Sequence, residues 1–184
     1  TTKLWGHHNY RAVVSILRER VRFVQVGGAQ PVVPWAAHTG GTQEDDHVWL
    51  HYTVDMVGKT TLRQLFDLVR RARGVLCGVS LLMHVAAAVG TPAVVIAGGR
   101  EPVAWNAYPK QHYLHTVGML PCSPQEGAGG ACWRSRTLPL GDGSGHDGSL
   151  CQRPVGGSPE CMTMIRPEEV AALILRYNRG GGTC

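Results

Sequence analysis

The chain has 184 residues, a formal net charge of +5 and 43% hydrophobic residues. That length supports one well-buried core and a small appendage, and no apolar run approaches the ~20 residues a membrane-spanning helix needs. A polar N-terminus without an apolar h-region gives no signal-peptide pattern. The cationic excess suits a phosphate-bearing ligand or an anionic membrane surface, and equally an ordinary soluble surface. The basic residues are scattered. Arg70-Arg71-Arg73 falls at a helix end where the dipole favours cations, and no nucleic-acid module is present, so nucleic acid is not expected as a partner.

In chain order, residues 8 to 20 place Tyr10, Val13, Val14, Ile16 and Leu17 at helical spacing. Val21 to Val26 reads as a strand, and Gly27 to Asp46 as a turn, short helix or loop. In His47 to Val57, the alternation of Val48, Leu50, Tyr52 and Val54 predicts a short strand. Thr60 or Thr61 caps a helix through about Arg71, with Leu62, Leu65, Phe66 and Val69 on one face. Val75-Leu76-Cys77 and Ala93 to Ala97 are continuous apolar runs, the pattern of parallel strands covered on both faces. Between them Ser80 caps a helix to about Val89, and Gly90 with Thr91 and Pro92 stops it. A short helix around Val103 to Tyr108, a strand near His112 to Val117, a loop-like stretch over 119–160 and a last helix from Pro167 to Tyr177, with Val170, Leu173 and Ile174 inward, complete the chain. The alternation argues for one doubly wound α/β domain with a parallel sheet.

A strand feeding a helix start presents unpaired N–H groups and a positive dipole end, a ready place for a phosphate or diphosphate. Ser80 stands at that start and His84 one turn further on. Gly98, Gly99 and Arg100 leave the next strand at the same edge, where the glycines would permit close backbone approach and Glu101 would accept from a ribose or sugar hydroxyl. Gly58-Lys59-Thr60 is not a P-loop, because that motif needs a glycine where Thr53 stands. Lys59 reads either as a solvated helix-start lysine or as a ligand contact. No G-x-G-x-x-G follows the first strand, which weighs against an unrelated dinucleotide-binding domain.

The segment from Ser80 to Pro92 resembles the G-N-D-S-G-P-M-H-L-A-A-A-L-G-T-P pattern of glycosyltransferase family 9, the bacterial heptosyltransferases. Ser80, Met83, His84, Ala86, Ala87, Ala88, Gly90, Thr91 and Pro92 match it. Lys3-Leu4-Trp5-Gly6 is similar to the family's K-x-W-[GP] element, Phe23 to Gly27 to its next strand and turn, and Gly58 to Leu62 to its G-K-T-[ST]-L. Together these cover about residues 3 to 106. The resemblance implies the nucleotide-sugar-binding, Rossmann-like half of a GT-B fold, with Lys3, Lys59, Ser80, Met83, His84, Gly98, Gly99, Arg100 and Glu101 as candidate donor contacts. It implies transfer of a sugar, heptose first, from a nucleoside-diphosphate donor (ADP-linked favoured) to the hydroxyl of an acceptor saccharide or protein. Lys3, Ser80 and His84 would stabilise the departing diphosphate. The catalytic base belongs to an N-terminal GT-B domain or partner chain, since only Thr1 and Thr2 precede the K-x-W element here. No redox cofactor is implied, and the location expected is cytoplasmic or peripheral to the inner membrane face. Val79 and Leu81 replace the family's aspartate and glycine, which supports an alternative reading as a degenerate binding or scaffold domain.

Cys122, Cys132, Cys151 and Cys161 fall in one apolar-poor stretch at spacing C-x9-C-x18-C-x9-C. Such a segment builds no core of its own, so either a tetrahedral zinc or iron site or two disulfides should hold it, and the missing export signal favours the metal. His146 is a weaker candidate ligand. A similar region holds a structural metal in some heptosyltransferase relatives that modify proteins, so the resemblance implies a structural role. Cys77 is read as an inert core residue and Cys184 as part of a flexible tail. The expected division is therefore a nucleotide-sugar-binding domain of residues 1–118 with 162–184, and a cysteine-rich metal-binding insert of 119–161.

Overall fold

A computed structural model describes residues 2–28, 49–123, 128–139 and 148–178. Most of the predicted 27–46 loop, His146 and Cys184 lie outside them. The apolar run at Ala93 folds as strand β4 (Ala93–Gly98), buried along its whole length. It pairs in parallel with β3 (Val75–Gly78) on one side and β5 (Gln111–His115) on the other. Strand alternation sends Leu76, Val94, Ile96 and Leu114 to one core and Val75, Cys77, Ala93, Val95 and Tyr113 to a second. Residues of α1 (His7–Leu17) and α6 (Pro167–Asn178) complete the first core, and those of α2 (Leu62–Arg71) and α3 (Leu81–Val89) the second. Apolar runs without alternation are what strands covered on both faces require, and the α/β class follows from that burial.

Local chemistry fixes the elements. Thr61 and Gln64 form a capping box at the start of α2. Gly90, at φ +74, ends α3 and returns its N–H to the carbonyls of Ala86 and Ala87. The Thr91 hydroxyl donates to the Val69 carbonyl at 2.9 Å, so the helix stop also ties α3 to the end of α2. Trp5, 1% exposed, donates from Nε1 to the Ile165 carbonyl at 2.8 Å and packs edge-on to Tyr10. The tryptophan of the K-x-W element is thus a core anchor.

The structure departs from the sequence reading in four places. Strands β1 (Phe23–Gln25) and β2 (Thr53–Asp55) form their own parallel pair, and the described strands make two parallel sets rather than one sheet. The alternation from His47 yields only three strand residues, because Tyr52 takes a left-handed φ of +65. Leu62, the first residue of α2, points outward at 59% exposure, ahead of the buried stripe. The stretch read as loop holds a 3₁₀ turn at Ala128–Gly130, a small antiparallel pair β6 (Pro154–Val155) and β7 (Ser158–Pro159), and a one-turn helix. The remaining helices are α4 (Val103–Asn106) and that one-turn helix, α5 (Glu160–Thr163). Among the described residues no helix is long and apolar enough to cross a membrane.

Burial pushes the Cys77 thiol from its ordinary value of 9.0 up to about 12. The unfolded chain therefore releases this proton first, and the corresponding stability is lost as pH rises from about 9 toward 12. Denaturant titrations across that range should show a shallower alkaline loss for Cys77→Ala than for the parent, by up to about 1.4 kcal/mol per pH unit. Parallel slopes would mean the thiol titrates freely in the folded chain.

Candidate functional site

Parallel pairing brings the exits of β3 and β4 to one edge, with Gly78 opposite Ile96. Lys3 joins them there: a Cβ on Gly78 would stand 3.6 Å from the Lys3 carbonyl oxygen. The Lys3 ammonium lies 2.6 Å from Glu101 Oε1, and Asn106 Nδ2 donates to Glu101 Oε2 at 2.8 Å. Tyr113 is half-buried with its hydroxyl oxygen buried, and burial first, then the Glu101 charge, push that hydroxyl up to about 12 against a downward pull from Asn106. Arg100 places its buried Nε 3.9 Å from Glu101 Oε1 with no hydrogen-bond acceptor. Lys3 and Arg100 thus both approach the Glu101 carboxylate at this edge. Asn106 and Tyr113 carried no sequence signal, since their roles exist only once α4 and β5 are folded against Glu101.

Ser80 sits exposed at the start of α3 in extended backbone, and its hydroxyl makes no capping bond. His84 is exposed one turn later. Its Nδ1 lies 2.8 Å from the Tyr108 hydroxyl and the two rings meet edge-on, so Nε2 is the nitrogen left toward an outside partner. Met83, in contrast, is fully buried among Val69, Val85 and Val95, where it packs rather than contacts a surface ligand. Lys59 bonds the Asp55 carboxylate at 2.9 Å and the Asp55 carbonyl at 3.0 Å, a local pair at the end of β2.

Gly98 and Gly99 are approached closely, but by the chain itself. At φ +64, a Cβ on Gly98 would collide with Met162 Sδ, and one on Gly99 would stand 3.3 Å from Cys161 Cβ. The group seen packed against these glycines is α5. An open hollow of about 320 Å³ lies nearby beside β5, lined by Thr116, Met119, Met164 and Glu169 among others; its lining includes no lysine or arginine and suits a diphosphate poorly.

Cys122, Cys132, Cys151 and Cys161 line a single cavity of about 20 Å³ together with Arg100, Arg134 and Arg153. All four are free thiols, so the alternative of two disulfides is not formed in this structure. Burial raises the Cys161 thiol first. A hydrogen bond from the Gly99 amide opposes that rise, and the other three thiols add to it. Cys122 is raised by burial and by Cys132 and Cys151, against the pull of Arg153. Among the described residues no three His, Cys, Asp or Glu side chains stand in a ready ligating arrangement. All four sulfurs nevertheless border one small cavity, with the guanidinium groups of Arg100, Arg134 and Arg153 at its wall. Arg134 and Arg153 were not singled out in sequence, where scattered arginines give no clue to a common cavity.

Comparison with known proteins follows this geometry. A model of glycosyltransferase family 9 (heptosyltransferase) matches residues 1–130. The chain is 27% identical over 100 residues to lipooligosaccharide heptosyltransferase 2 of Haemophilus influenzae, covering 54% of this chain and 28% of that protein. It is 27% identical over 97 residues to the protein of the same name from Haemophilus ducreyi, covering 52% and 27%. Its fold is similar to the structure of E. coli ADP-heptose LPS heptosyltransferase II at a TM-score of 0.57 and 17% identity, over 97% of this chain and 43% of that one. The match spans less than a third of the length of the curated relatives.

If α5 rather than ligand approach explains Gly98, adding a methyl there should be costly. Gly98→Ala should lose roughly 3 kcal/mol in urea unfolding, combining left-handed strain with overpacking. Gly118→Ala, at φ +81 with open space around it, should lose only the strain, about 1–2 kcal/mol. Equal losses would remove the packing argument.

Proposed function

The chain belongs to glycosyltransferase family 9, the heptosyltransferases, and we propose that it is the donor-binding half of such an enzyme, holding a nucleoside-diphosphate sugar with ADP-heptose favoured. The observation that carries this reading is the shared edge: the Lys3–Glu101–Arg100 group at the exits of β3 and β4, next to an α3 start whose Ser80 hydroxyl is uncommitted. A leaving diphosphate gains negative charge as the bond to the anomeric carbon breaks. Cations and amide dipoles already fixed at that spot stabilise it without reorganising. Lys3 would turn from Glu101 to the phosphate, Glu101 would be released to a donor hydroxyl, and the α3 amides with Ser80 would meet the second phosphate. His84, held through Nδ1 by Tyr108, would present Nε2 as a further donor. The acceptor, a saccharide or protein hydroxyl, and the base that takes its proton are assigned to an N-terminal GT-B domain or partner chain.

Within this reading the four cysteines hold a structural zinc or iron, and residues 119–161 form a metal-bound insert on a domain of residues 1–118 with 162–184. The metal would order the segment and takes no part in sugar transfer. The enzyme would work in the cytoplasm, where its +5 charge suits the anionic inner membrane face. One observation favours a degenerate scaffold instead: Leu81, where the family has glycine, is 59% exposed at the very start of α3.

Calorimetric titration with ADP, against UDP and GDP, separates the two readings. We expect micromolar ADP binding, weakened about tenfold in His84→Ala and in Lys3→Ala, as for loss of one charge-assisted contact each. No binding of any of the three nucleotides would refute the donor half and leave the scaffold. Titration of the reduced, metal-free chain with Zn²⁺ should bind one ion per chain and shield Cys122, Cys132, Cys151 and Cys161 from alkylation. Four thiols that remain reactive at saturating Zn²⁺ would remove the metal.

A further inference from the structure

We propose that Cys132 and Cys161 are positioning residues for the Gly98–Glu101 turn, so that closure of the four-thiol cluster and diphosphate binding at that turn reinforce each other. The proposal rests on the donor-site and metal readings above, and goes beyond them by making the insert part of the binding site's mechanics.

The turn is held on both sides by segments that carry the cysteines. Cys132 N donates to the Gly99 carbonyl at 3.1 Å and Trp133 N to the Arg100 carbonyl at 3.0 Å. From the other side Cys161 packs directly on Gly99, its Cβ 3.3 Å from where a Cβ on that glycine would stand. Thr116 clasps both partners, its N–H on the Gly98 carbonyl at 3.0 Å and its hydroxyl on the Cys161 carbonyl at 2.9 Å. Gly99 and Arg100 are therefore bonded to Cys132 and Trp133, and Gly98 to Thr116, which in turn bonds the Cys161 carbonyl. The next residue, Glu101, is the one that takes Lys3 and Asn106.

Trp133 adds a second grip. It holds a left-handed φ of +58, rare for a bulky residue, and its ring meets that of Trp105 on α4 at 4.7 Å. The turn and the helix that follows it are thus both engaged by residues 132 and 133. Arg100 completes the link, since it lines the cysteine cavity while its Nε faces Glu101. Drawing the four sulfurs together would fix Cys132 and Cys161, and through these bonds would hold the Arg100 and Glu101 backbone where a diphosphate needs it. Linkage then requires the effect to be mutual: a ligand that favours the ordered turn must favour the closed cluster by the same factor.

The experiment uses the full chain, metal-free or loaded with one equivalent of Zn²⁺ and freed of excess. First, exchange of the amide hydrogens of Gly99 to Glu101 is followed by mass spectrometry without nucleotide. We expect Zn²⁺ to slow it at least fivefold, and less in Thr116→Val, which removes the hydroxyl bond to the Cys161 carbonyl while leaving all four thiols. Second, ADP affinity is measured in both forms, and Zn²⁺ affinity by competition with a chromophoric chelator with and without ADP. We expect the same factor, fivefold or more, in both directions. Exchange unchanged by Zn²⁺, including through failure of the ion to bind, overturns the proposal. So does equal ADP affinity in the two forms. If exchange slows but ADP binds neither form, the positioning role stands and the donor-site reading fails.

Discussion

Strand β4 is buried from Ala93 to Gly98, and a strand covered on both faces must end by handing its backbone to partners that are themselves fixed. Here the hand-over is made by the chain. The Gly98 carbonyl goes to Thr116, the Gly99 carbonyl to Cys132 and the Arg100 carbonyl to Trp133. The left-handed turn at Gly98 lets Met162 pack where any side chain would collide, so the cysteine-bearing segment is seated directly on the end of the central strand. Everything polar at the carboxyl edge is arranged from that seat. Arg100 faces the thiol cavity and Glu101 reaches Lys3 and Asn106.

The electrostatics of the edge follow from how few charges it holds. Glu101 is 14% exposed and Lys3 29%, so their contact at 2.6 Å is only partly screened. A carboxylate in that position keeps a lysine extended over the sheet edge in the absence of ligand, at the cost of competing with any phosphate for it. Phosphate carries more charge and more acceptor oxygens than a carboxylate, and the α3 start adds aligned N–H groups that Glu101 does not use. Under the proposed donor reading, the contest would therefore favour a diphosphate that spans both over a single small anion that meets Lys3 alone.

Much of the fold was legible in the sequence because it rests on local rules. The buried runs at Val75 and Ala93, the Thr61 cap and the Gly90 stop each state their own geometry. What was not legible is what depends on contacts between distant segments. Tyr113, Asn106 and Tyr108 matter through neighbours that only the tertiary fold supplies. Gly98 and Gly99 were read as places for a ligand to approach the backbone, whereas the contact the fold itself makes there is with α5, which only the tertiary structure reveals. Met83 lies within the matched motif yet faces the second core, because the residue before His84 on a helix turns about 100° away from it. Tyr52 broke the predicted strand by taking a left-handed turn that alternation alone does not reveal.

The replacement of the family's aspartate and glycine by Val79 and Leu81 bears on which part of a donor this edge can hold. Neither side chain belongs to the Lys3–Glu101–Arg100 group, and the backbone amide that Leu81 supplies at the first position of α3 is present whatever the side chain. The means of neutralising a diphosphate are therefore untouched. What changes is the α3 start itself: Val79 packs against the second core, and Leu81, the first residue of α3, is 59% exposed. Under the proposed donor reading, an apolar side chain there would leave a sugar hydroxyl without the acceptor a carboxylate supplies, while the amide donors of the α3 start would remain.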